Sequence, residues 1–225
     1  MKLQYPKAYG SGCIFREDFT SWQHVADNGG IVTGVPTISN GITETVSNAS
    51  RVLYSCTRNL FVLSQTAMTI VLDLTTTPAP PAGGNYFVVK GTIGVSAQFI
   101  ISQFAGRNLR CYVPTTPADL GTVGLSSALS DSTRYRVAFV FNGAGVGNAN
   151  RLPIYINGVL DAGASYAGTI PASILSLSEQ IGIFQLAAIA GAKINQLRIF
   201  DRALSADEIL DDYQQDVYTE IEAGP

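Results

Sequence analysis

The chain has 225 residues, of which 46% are hydrophobic and only 14% are charged, and its formal net charge is −3. A typical soluble domain carries about 25% charged residues, so this composition excludes extensive disorder, which requires high charge and low hydrophobicity. The 14 lysines and arginines are scattered without a run. Nucleic acid is therefore excluded as a main partner, because clustered cations are needed to neutralise the phosphates.

The N-terminal segment and the apolar stretches bear on export and on membranes. Residues 1–7 lack the apolar core of about 7–15 residues that a secretory signal peptide needs. No stretch approaches about 18 consecutive apolar residues, the length of a membrane-spanning helix. We therefore expect no membrane span, and a protein that acts where it is made or leaves the cell by another route.

Alternation of apolar and polar residues dominates the chain, and this period of two indicates strands with one face on a core. Gly, Pro, Ser, Thr and Asn separate the alternating segments, which predicts an all-β chain folded as a concanavalin A-like antiparallel β-sandwich, or jelly roll. In chain order the predicted strands are residues 14–20, 30–38, 42–47, 51–57, 68–74, 86–90, 98–104, 108–113, 134–141, 152–156, 159–162, 181–186 and 193–200.

The connections between these strands also carry signals. Asn157-Gly158 predicts a two-residue type I′ hairpin turn, since both residues tolerate positive φ. Long Gly-rich or Pro-rich loops are predicted at residues 75–85 and 142–150. Ser205 and Glu208 have the spacing of a capping box, and the residues after them predict one short C-terminal helix of one or two turns.

The chain shows no linker, no shift in composition and no internal repeat, which predicts a single domain. We assign residues 1–12 to an N-terminal arm, residues 13–217 to the sandwich and residues 218–225 to a C-terminal tail.

The three cysteines, Cys13, Cys56 and Cys111, are far apart in the sequence and form no C-x-x-C motif. This spacing favours buried free thiols over a disulfide framework.

The last two fifths of the chain contain a series of motifs in a fixed order. A strand RYRVAFVFN starts at Arg134, YING starts at Tyr155, and the strand KINQLRIF at Lys193 leads into RALSADEI at Arg202. The series resembles the laminin-G-like branch of the concanavalin A-like lectin/glucanase superfamily over about residues 133–213. That superfamily includes lectins, glycoside hydrolases, adhesion modules and virion proteins, so the resemblance implies a fold and specifies no ligand.

The final motif also has a physical interpretation. We expect Ile194, Leu197 and Ile199 to pack inside the sandwich while Arg198 points outward, because side chains alternate along a strand. Leu204 should then close the end of the sheet, and the capped helix should cover that edge.

The carboxylates do not have the arrangement of a glycosidase, which needs two of them about 5–9.5 Å apart across the scissile bond. The β-glucanases of the superfamily carry an E-x-D-x-x-E strand motif that this chain lacks. The acids cluster instead at Glu17-Asp18 and in the predicted helix, where a solvated face is favoured. We therefore predict that the protein is not an enzyme, and we assign no catalytic residue.

The single histidine, His24, lies close in sequence to Trp22 and Asp27. No G-x-S-x-G motif accompanies it, and it has no metal-ligand spacing with the cysteines. We expect a surface or hydrogen-bonded histidine. For Trp22, a place in the core or in an interface is favoured over a platform for sugar stacking.

Calcium is the metal that the resemblance raises, since many laminin-G-like modules bind it through rim loops. Calcium prefers about six to eight oxygen ligands, usually including two or more acids. The rim loops offer mostly amides, so we predict neither a metal nor a cofactor. The candidate rim residues are Asn85, Asp119, Asn142, Asn148 and Asn150.

The glycine run at residues 143–147 lacks the third glycine of a G-x-G-x-x-G loop, and no helix is expected to follow it. We therefore interpret it as a flexible hairpin loop and not as a phosphate-binding loop.

Two functions remain open from the sequence. The preferred one is a structural protein of a larger assembly, with a virion (phage) surface or decoration protein as the concrete case, because the low charge suggests surface that association would bury. It implies self-association or neighbouring structural proteins as partners and the virion surface as location. The alternative is a glycan- or protein-binding lectin-like module, cytoplasmic or extracellular by a route without a signal peptide. Ligand-binding residues stay unassigned.

Overall fold

The computed structural model describes residues 13–28, 30–34, 36–38, 41–43, 51–54, 66–76, 84–91, 97–104, 106–116, 121–175, 181–184 and 193–222. In chain order the described elements are β1 (Cys13–Glu17), α1 (Trp22–Asp27), β2 (Gly30–Thr33), β3 (Thr37–Ile38), β4 (Ile42–Thr43), β5 (Arg51–Tyr54), β6 (Ala67–Thr75), β7 (Asn85–Lys90), β8 (Phe99–Gln103), β9 (Asn108–Tyr112), β10 (Val123–Ala128), β11 (Arg134–Asn142), α2 (Asn148–Arg151), β12 (Ile154–Ile156), β13 (Val159–Leu160), β14 (Ser165–Ala167), β15 (Ile181–Ile183), β16 (Lys193–Phe200) and α3 (Ala206–Glu222).

The described strands form two antiparallel sheets. In sheet A the order is β13-β12-β11-β6-β16-β4-β3, and β1 pairs with the C-terminal half of β16. In sheet B the order is β14-β10-β9-β8-β7-β15-β5-β2. Because strands distant in sequence become neighbours, the sandwich is closed by long-range pairing, and the predicted concanavalin A-like sandwich is confirmed.

The hydrophobic core lies between the two sheets. Ile70, Leu72 and Leu74 project into it from β6, and Phe99 and Ile101 project into it from β8. All five side chains are fully buried. The period of two therefore divides each strand into an inner face on this core and an outer face on the other side of its sheet.

The outer face of sheet A is covered by the C-terminal helix. Val71 of β6 and Ala138 of β11 form a second apolar cluster there with Leu204 and with Ile209 of α3. Leu204 and the capped helix pack on sheet A as a pair, as predicted, but they cover its outer face and not only the end of the sheet. The helix extends over 17 residues, beyond the one or two turns that the sequence indicates.

Four charged side chains are buried between α3 and sheet A. Arg198 forms a bidentate ion pair with Asp212, with Nη2 2.8 Å from Oδ2 and Nη1 also donating to Oδ1. Arg136 donates to the carbonyl of Asp212 at 2.9 Å and to Oδ2 of Asp73 at 3.0 Å. Arg198 therefore points outward as predicted, yet it is 0% exposed because the helix covers it.

Asp73 is held in its charged form by this network. Burial by itself raises the pKa of Asp73, but a hydrogen bond from Arg134 and the charges of Arg136 and Arg134 outweigh it, so that the pKa lies below the ordinary value. Both oxygens of Asp73 accept hydrogen bonds from Arg134, at 2.8 and 2.9 Å. The buried carboxylate is thus compensated by two guanidinium groups.

The turn between β16 and α3 contains the predicted capping box. The backbone N–H of Ser205 donates to Glu208 Oε2 at 2.9 Å, and the backbone N–H of Glu208 donates to Ser205 Oγ at 3.3 Å. Arg202 binds the same carboxylate through two hydrogen bonds of 2.7 and 2.9 Å. Thr69 Oγ1 donates to the carbonyl of Arg202 and accepts from the N–H of Leu204, so the turn is fixed to the central strand.

The structure confirms the predicted hairpin turn and adds elements that the sequence pattern did not indicate. Asn157 and Gly158 have φ of +50° and +82°, as a type I′ turn requires. Strands β10 and β14 were not predicted, since small residues weaken their alternation. The expectation that no helix follows the glycine run is wrong, because α2 begins there.

The cysteine prediction is confirmed for the two thiols that the structure describes. Cys13 is partly buried and Cys111 is buried, and both are free. Burial raises the pKa of Cys111 to about 12, so its thiol is protonated and unreactive at neutral pH. Cys56, like the loop at residues 77–83, lies outside the described residues.

In the described part of the chain, no helix combines the length and the apolar character needed to cross a membrane. The boundaries of the arm (1–12), sandwich (13–217) and tail (218–225) stay a prediction.

We predict that Asp212→Ala destabilises the fold by about 3–5 kcal/mol, because removing one partner of a buried ion pair leaves the other charge uncompensated. Asp211→Ala is the matched control: Asp211 is the preceding residue of α3 and is exposed, so its loss should change the free energy of unfolding by less than about 0.5 kcal/mol. Urea unfolding of both variants measures the difference, and equal transition midpoints would contradict the assigned role.

We also predict a strongly acidic carboxyl at the start of α3. Hydrogen bonds lower the pKa of Glu208 from 4.5 to about 2. The largest contribution comes from the Arg202 side chain and the next from the Ser205 backbone. Because the folded-state pKa is depressed, the stabilisation is complete above pH 4.5 and is lost as the pH falls toward 2. NMR titration of the side chain measures this pKa, and Arg202→Gln should return it toward 4.5. A pKa near 4.5 in the unmodified protein would be inconsistent with the ion pair.

Candidate functional site

Tyr86, Phe104, Arg110 and Tyr112 lie together on the outer face of sheet B, and we call them the aromatic–arginine cluster. In the register of the sheet, Tyr86 is opposite Ser102, and Ser102 is opposite Arg110. Tyr112 is two residues from Arg110 along the chain, so it lies on the same face of the strand. Three neighbouring strands therefore bring these side chains to one surface.

The local sequence of β9 explains why this face is polar and aromatic. Leu109 and Cys111 point into the core between the sheets, which leaves Arg110 and Tyr112 on the opposite side. Position on a paired strand holds the backbone of Arg110 and Tyr112 in place, and Phe104 follows directly after the end of β8.

Direct contacts connect the four side chains. The rings of Tyr86 and Phe104 meet edge to face, with centroids 6.1 Å apart and an interplanar angle of 78°. The guanidinium carbon of Arg110 lies 4.1 Å from the centroid of the Phe104 ring, and Nη1 of Arg110 donates to the Tyr112 hydroxyl at 3.3 Å. Cation–π and aromatic contacts therefore hold the cluster together.

An apolar floor supports the cluster. Val89, Ala97, Ile100 and Val123 are buried in a third apolar group on this face of sheet B. Tyr86, Phe104 and Arg110 remain partly exposed, whereas Tyr112 is only 8% exposed. Buried apolar side chains thus lie beneath partly exposed aromatic rings. Sites for small ligands have this composition.

Two polar groups at the cluster have no hydrogen-bond partner among the described residues. They are the Oγ of Ser102, whose side chain is 0% exposed, and the buried Nε of Arg110. Buried polar atoms without partners are rare in native proteins and call for an explanation. Burial is the main cause that raises the pKa of Tyr86, and the nearby Tyr112 adds to it, while the charge of Arg110 acts in the opposite direction. The net effect keeps Tyr86 a neutral donor.

A second polar group lies around Glu17, which is 0% exposed. Its Oε1 accepts from the Phe19 backbone at 2.9 Å and lies 2.7 Å from His24 Nδ1. Its Oε2 accepts from Asn28 at 2.9 Å and from the Tyr54 hydroxyl at 3.0 Å. Burial and the charge of Glu17 raise the pKa of Tyr54, so Tyr54 stays a donor and the group joins β1, α1 and β5.

Among the described residues, Glu17, Asp18 and His24 are the metal-ligating side chains that converge, with ligand atoms within 4.8 Å of one another. Both oxygens of Glu17 already accept hydrogen bonds from within the protein. A cation would have to displace the contact between His24 and Glu17. The full hydrogen bonding is typical of a structural anchor.

The structure decides the predictions for His24 and Trp22. His24 is hydrogen-bonded and partly exposed, as predicted, and the sequence did not indicate its carboxylate partner seven residues earlier. Trp22 is 43% exposed, so the core position is wrong, whereas the alternative, a place in an interface, stays a prediction. Its ring faces solvent on α1 and does not belong to the aromatic–arginine cluster.

The rim-loop amides do not fit a calcium site. The Oδ1 of Asn142 accepts from the Ala144 backbone at 3.2 Å, and the Oδ1 of Asn148 accepts from the Ile170 backbone at 2.9 Å. Asn150 uses its side chain to bind the carbonyl of Val146. These amides stabilise their own loops, and Asn85 is fully buried in β7; Asp119 lies outside the described residues.

The strands of the aromatic–arginine cluster were predicted from the sequence, whereas the cluster itself was not. The alternation of Arg110 and Tyr112 with Leu109 and Cys111 in β9 did indicate a polar and aromatic outer face of that strand. Alternation alone does not reveal which strands become neighbours, so Tyr86 could not be placed beside Arg110 from the sequence.

Solved structures with the same fold come from larger proteins. The Trypanosoma rangeli sialidase in complex with sialic acid is 16% identical with a TM-score of 0.57, and the match covers 82% of this chain and 30% of the sialidase. A structure of botulinum neurotoxin type C, whose cell entry depends on interaction with two ganglioside molecules, is 14% identical with a TM-score of 0.61 over 83% of this chain and 46% of that chain. At these identities the likeness shows the fold.

The prediction that the protein is not an enzyme is contradicted by this comparison. Sialidases are among the structures that share the fold, including the free T. rangeli enzyme at 15% identity, a TM-score of 0.55 and coverage of 83% of this chain and 30% of the sialidase. Absence of the glucanase motif therefore did not justify excluding the enzyme class, because enzymes without that motif share the fold.

A match to a family model identifies the superfamily of the chain. No curated protein sequence matches it, whereas the laminin G model of the concanavalin A-like lectin/glucanases superfamily matches residues 53–210. The match contains every strand of the aromatic–arginine cluster and the whole C-terminal motif series, and it confirms the resemblance seen in the sequence. The chain therefore belongs to the concanavalin A-like lectin/glucanase superfamily.

Proposed function

We propose that the protein is a glycan-binding domain and that the aromatic–arginine cluster holds the sugar. The observation that carries the proposal is the stacked arrangement of Tyr86, Phe104 and Arg110 on the outer face of sheet B, with their side chains partly exposed. The corresponding face of sheet A is covered by α3, whereas Tyr86, Phe104 and Arg110 on sheet B keep part of their surface exposed.

The chemistry of the cluster suits a carbohydrate. A sugar ring has an apolar C–H face, which stacks on aromatic rings, and a rim of hydroxyl groups, which need hydrogen-bond partners. Tyr86 and Phe104 supply the rings. Arg110 and the Tyr112 hydroxyl lie in direct contact with each other and supply polar groups beside them.

The comparisons support a carbohydrate as the ligand class. Among the proteins that share the fold are a sialidase in complex with sialic acid and a neurotoxin that interacts with gangliosides. This chain spans less than half of either protein, so their activities as whole proteins are carried over only as part of the proposal.

We predict that Tyr86→Ala weakens glycan binding at least about tenfold, equivalent to about 1.4 kcal/mol, because it removes one stacking ring. Trp22→Ala is the matched control, since it removes an exposed aromatic side chain outside the cluster. Glycan-array screening, then calorimetry on the sugars found, measures both variants. Release of sugar is followed in the same samples, because sialidases share the fold.

Circular dichroism and urea unfolding show whether each variant keeps its fold. Binding lost with Trp22→Ala and kept with Tyr86→Ala would move the site to α1. A protein that binds no glycan on the array would contradict the proposed function.

A structural role in a larger assembly is the second function that we propose, with the virion surface as its setting. It is supported by exposed apolar side chains on both faces of the edge strand β13 and on the neighbouring α3, which together we call the patch. Val159, Leu160 and Leu210 are 65%, 55% and 37% exposed, and a Cβ at Gly158 would lie 3.1 Å from the side chain of Leu210. Contiguous exposed apolar residues on an edge strand favour association with another protein surface.

We predict that Val159→Lys lowers the solution mass of an associated form toward the monomer, because a charge on the patch opposes its burial. Val146→Lys is the control: Val146 is 82% exposed and lies in the loop before α2. Light scattering on the unmodified chain and on both variants measures the mass. A monomeric unmodified protein, or the same mass for Val159→Lys, would contradict association through this patch.

A further inference from the structure

The charge of Arg110 is not balanced by a carboxylate within the described part of the chain. Most arginines with described side chains form ion pairs, which involve Arg16, Arg107, Arg134, Arg136, Arg198 and Arg202. Arg151 binds the carbonyls of Gly145 and Ile170 instead. Arg110 has one hydrogen bond, to a tyrosine hydroxyl.

The position of Arg110 prepares it for a ligand. A guanidinium has five N–H donors. Tyr112 accepts from one of those on Arg110, and the buried Nε has no partner among the residues that the structure describes. Stacking on Phe104 at 4.1 Å fixes the plane of the group, so little side-chain freedom remains to be lost on binding.

The groups around Arg110 also favour an anion. Tyr86 and Tyr112 present hydroxyls, and Ser102 lies between Tyr86 and Arg110 in the register with its hydroxyl unpartnered. These groups can all donate hydrogen bonds. A negatively charged group would therefore meet donors and one positive charge, in surroundings that strengthen the attraction because water is partly excluded.

We infer that the aromatic–arginine cluster selects an anionic sugar, with its carboxylate or sulfate group held by Arg110 and its ring stacked on Tyr86 and Phe104. The inference rests on the proposed glycan-binding function and adds the chemical class of the ligand. A planar carboxylate matches the fork of a guanidinium with two parallel hydrogen bonds, and a sulfate group offers the same charge.

The test uses matched sugars that share a neutral core. Lactose, 3′-sialyllactose and 3′-sulfolactose are measured by calorimetry, and every neutral core on a glycan array is compared with its sialylated and sulfated forms. We expect an acidic form to bind at least about tenfold more tightly than its core, as charge-assisted hydrogen bonds provide. The preference should weaken as salt is raised. The acidic form that binds more tightly identifies the anionic group.

Variants of two neighbouring arginines isolate the interaction. Arg110→Gln should abolish the preference for the acidic form, so that within this variant the acidic form and its neutral core bind with affinities that agree within about twofold. Arg107→Gln is the control, since Arg107 is exposed and already paired with Asp131 at 2.7 Å, and it should keep the preference.

The outcomes separate this inference from the function on which it rests. Equal binding of neutral and acidic forms, or a preference that survives Arg110→Gln, would overturn the anion site and leave glycan binding in place. Binding of no sugar in any form would overturn the proposed function itself.

Discussion

The buried ion pair between Arg198 and Asp212 closes the outer face of sheet A beneath α3. Both groups are almost completely withdrawn from water, and such a pair is stable only when each charge is compensated. Arg136 extends the pair to Asp73 at the centre of sheet A. The network holds α3 against sheet A, so the outer face of that sheet is occupied by the protein itself, and the outer face of sheet B becomes the candidate for recognition.

The outer faces of the two sheets both carry arginines, and the two faces differ in how the positive charge is compensated. On sheet A, carboxylates of the protein balance the arginines, and the result is a closed interface between strand and helix. On sheet B, Arg110 stacks on Phe104 and contacts a hydroxyl, without a carboxylate among the described residues. Stability requires the first arrangement, whereas a site that binds an outside group requires a charge left available in a fixed geometry. The difference between them is the basis for placing function on sheet B.

Much of the fold was predictable because it depends on local chemistry. The capping box of Ser205 and Glu208, the positive φ of Asn157 and Gly158, and the alternation of β6 each arise from a few adjacent residues. Strands β10 and β14 were missed because small residues there give weak alternation, and their pairing partners supply the order instead. The length of α3 was also underestimated, and its described contacts with sheet A come from Ile209 and Asp212 in the first two turns.

For the candidate site, too, some features follow from the sequence and others only from the tertiary structure. The sequence by itself determined the fold class, the C-terminal motif series and the inward and outward faces of β9, since these follow from the period of side chains along one strand. Only the tertiary structure decided that Tyr86 and Phe104 lie beside Arg110, that His24 binds Glu17 and that Arg198 is buried under a helix. Each of these contacts joins side chains from different elements, and the register of long-range strand pairing, not local propensity, brings such side chains together.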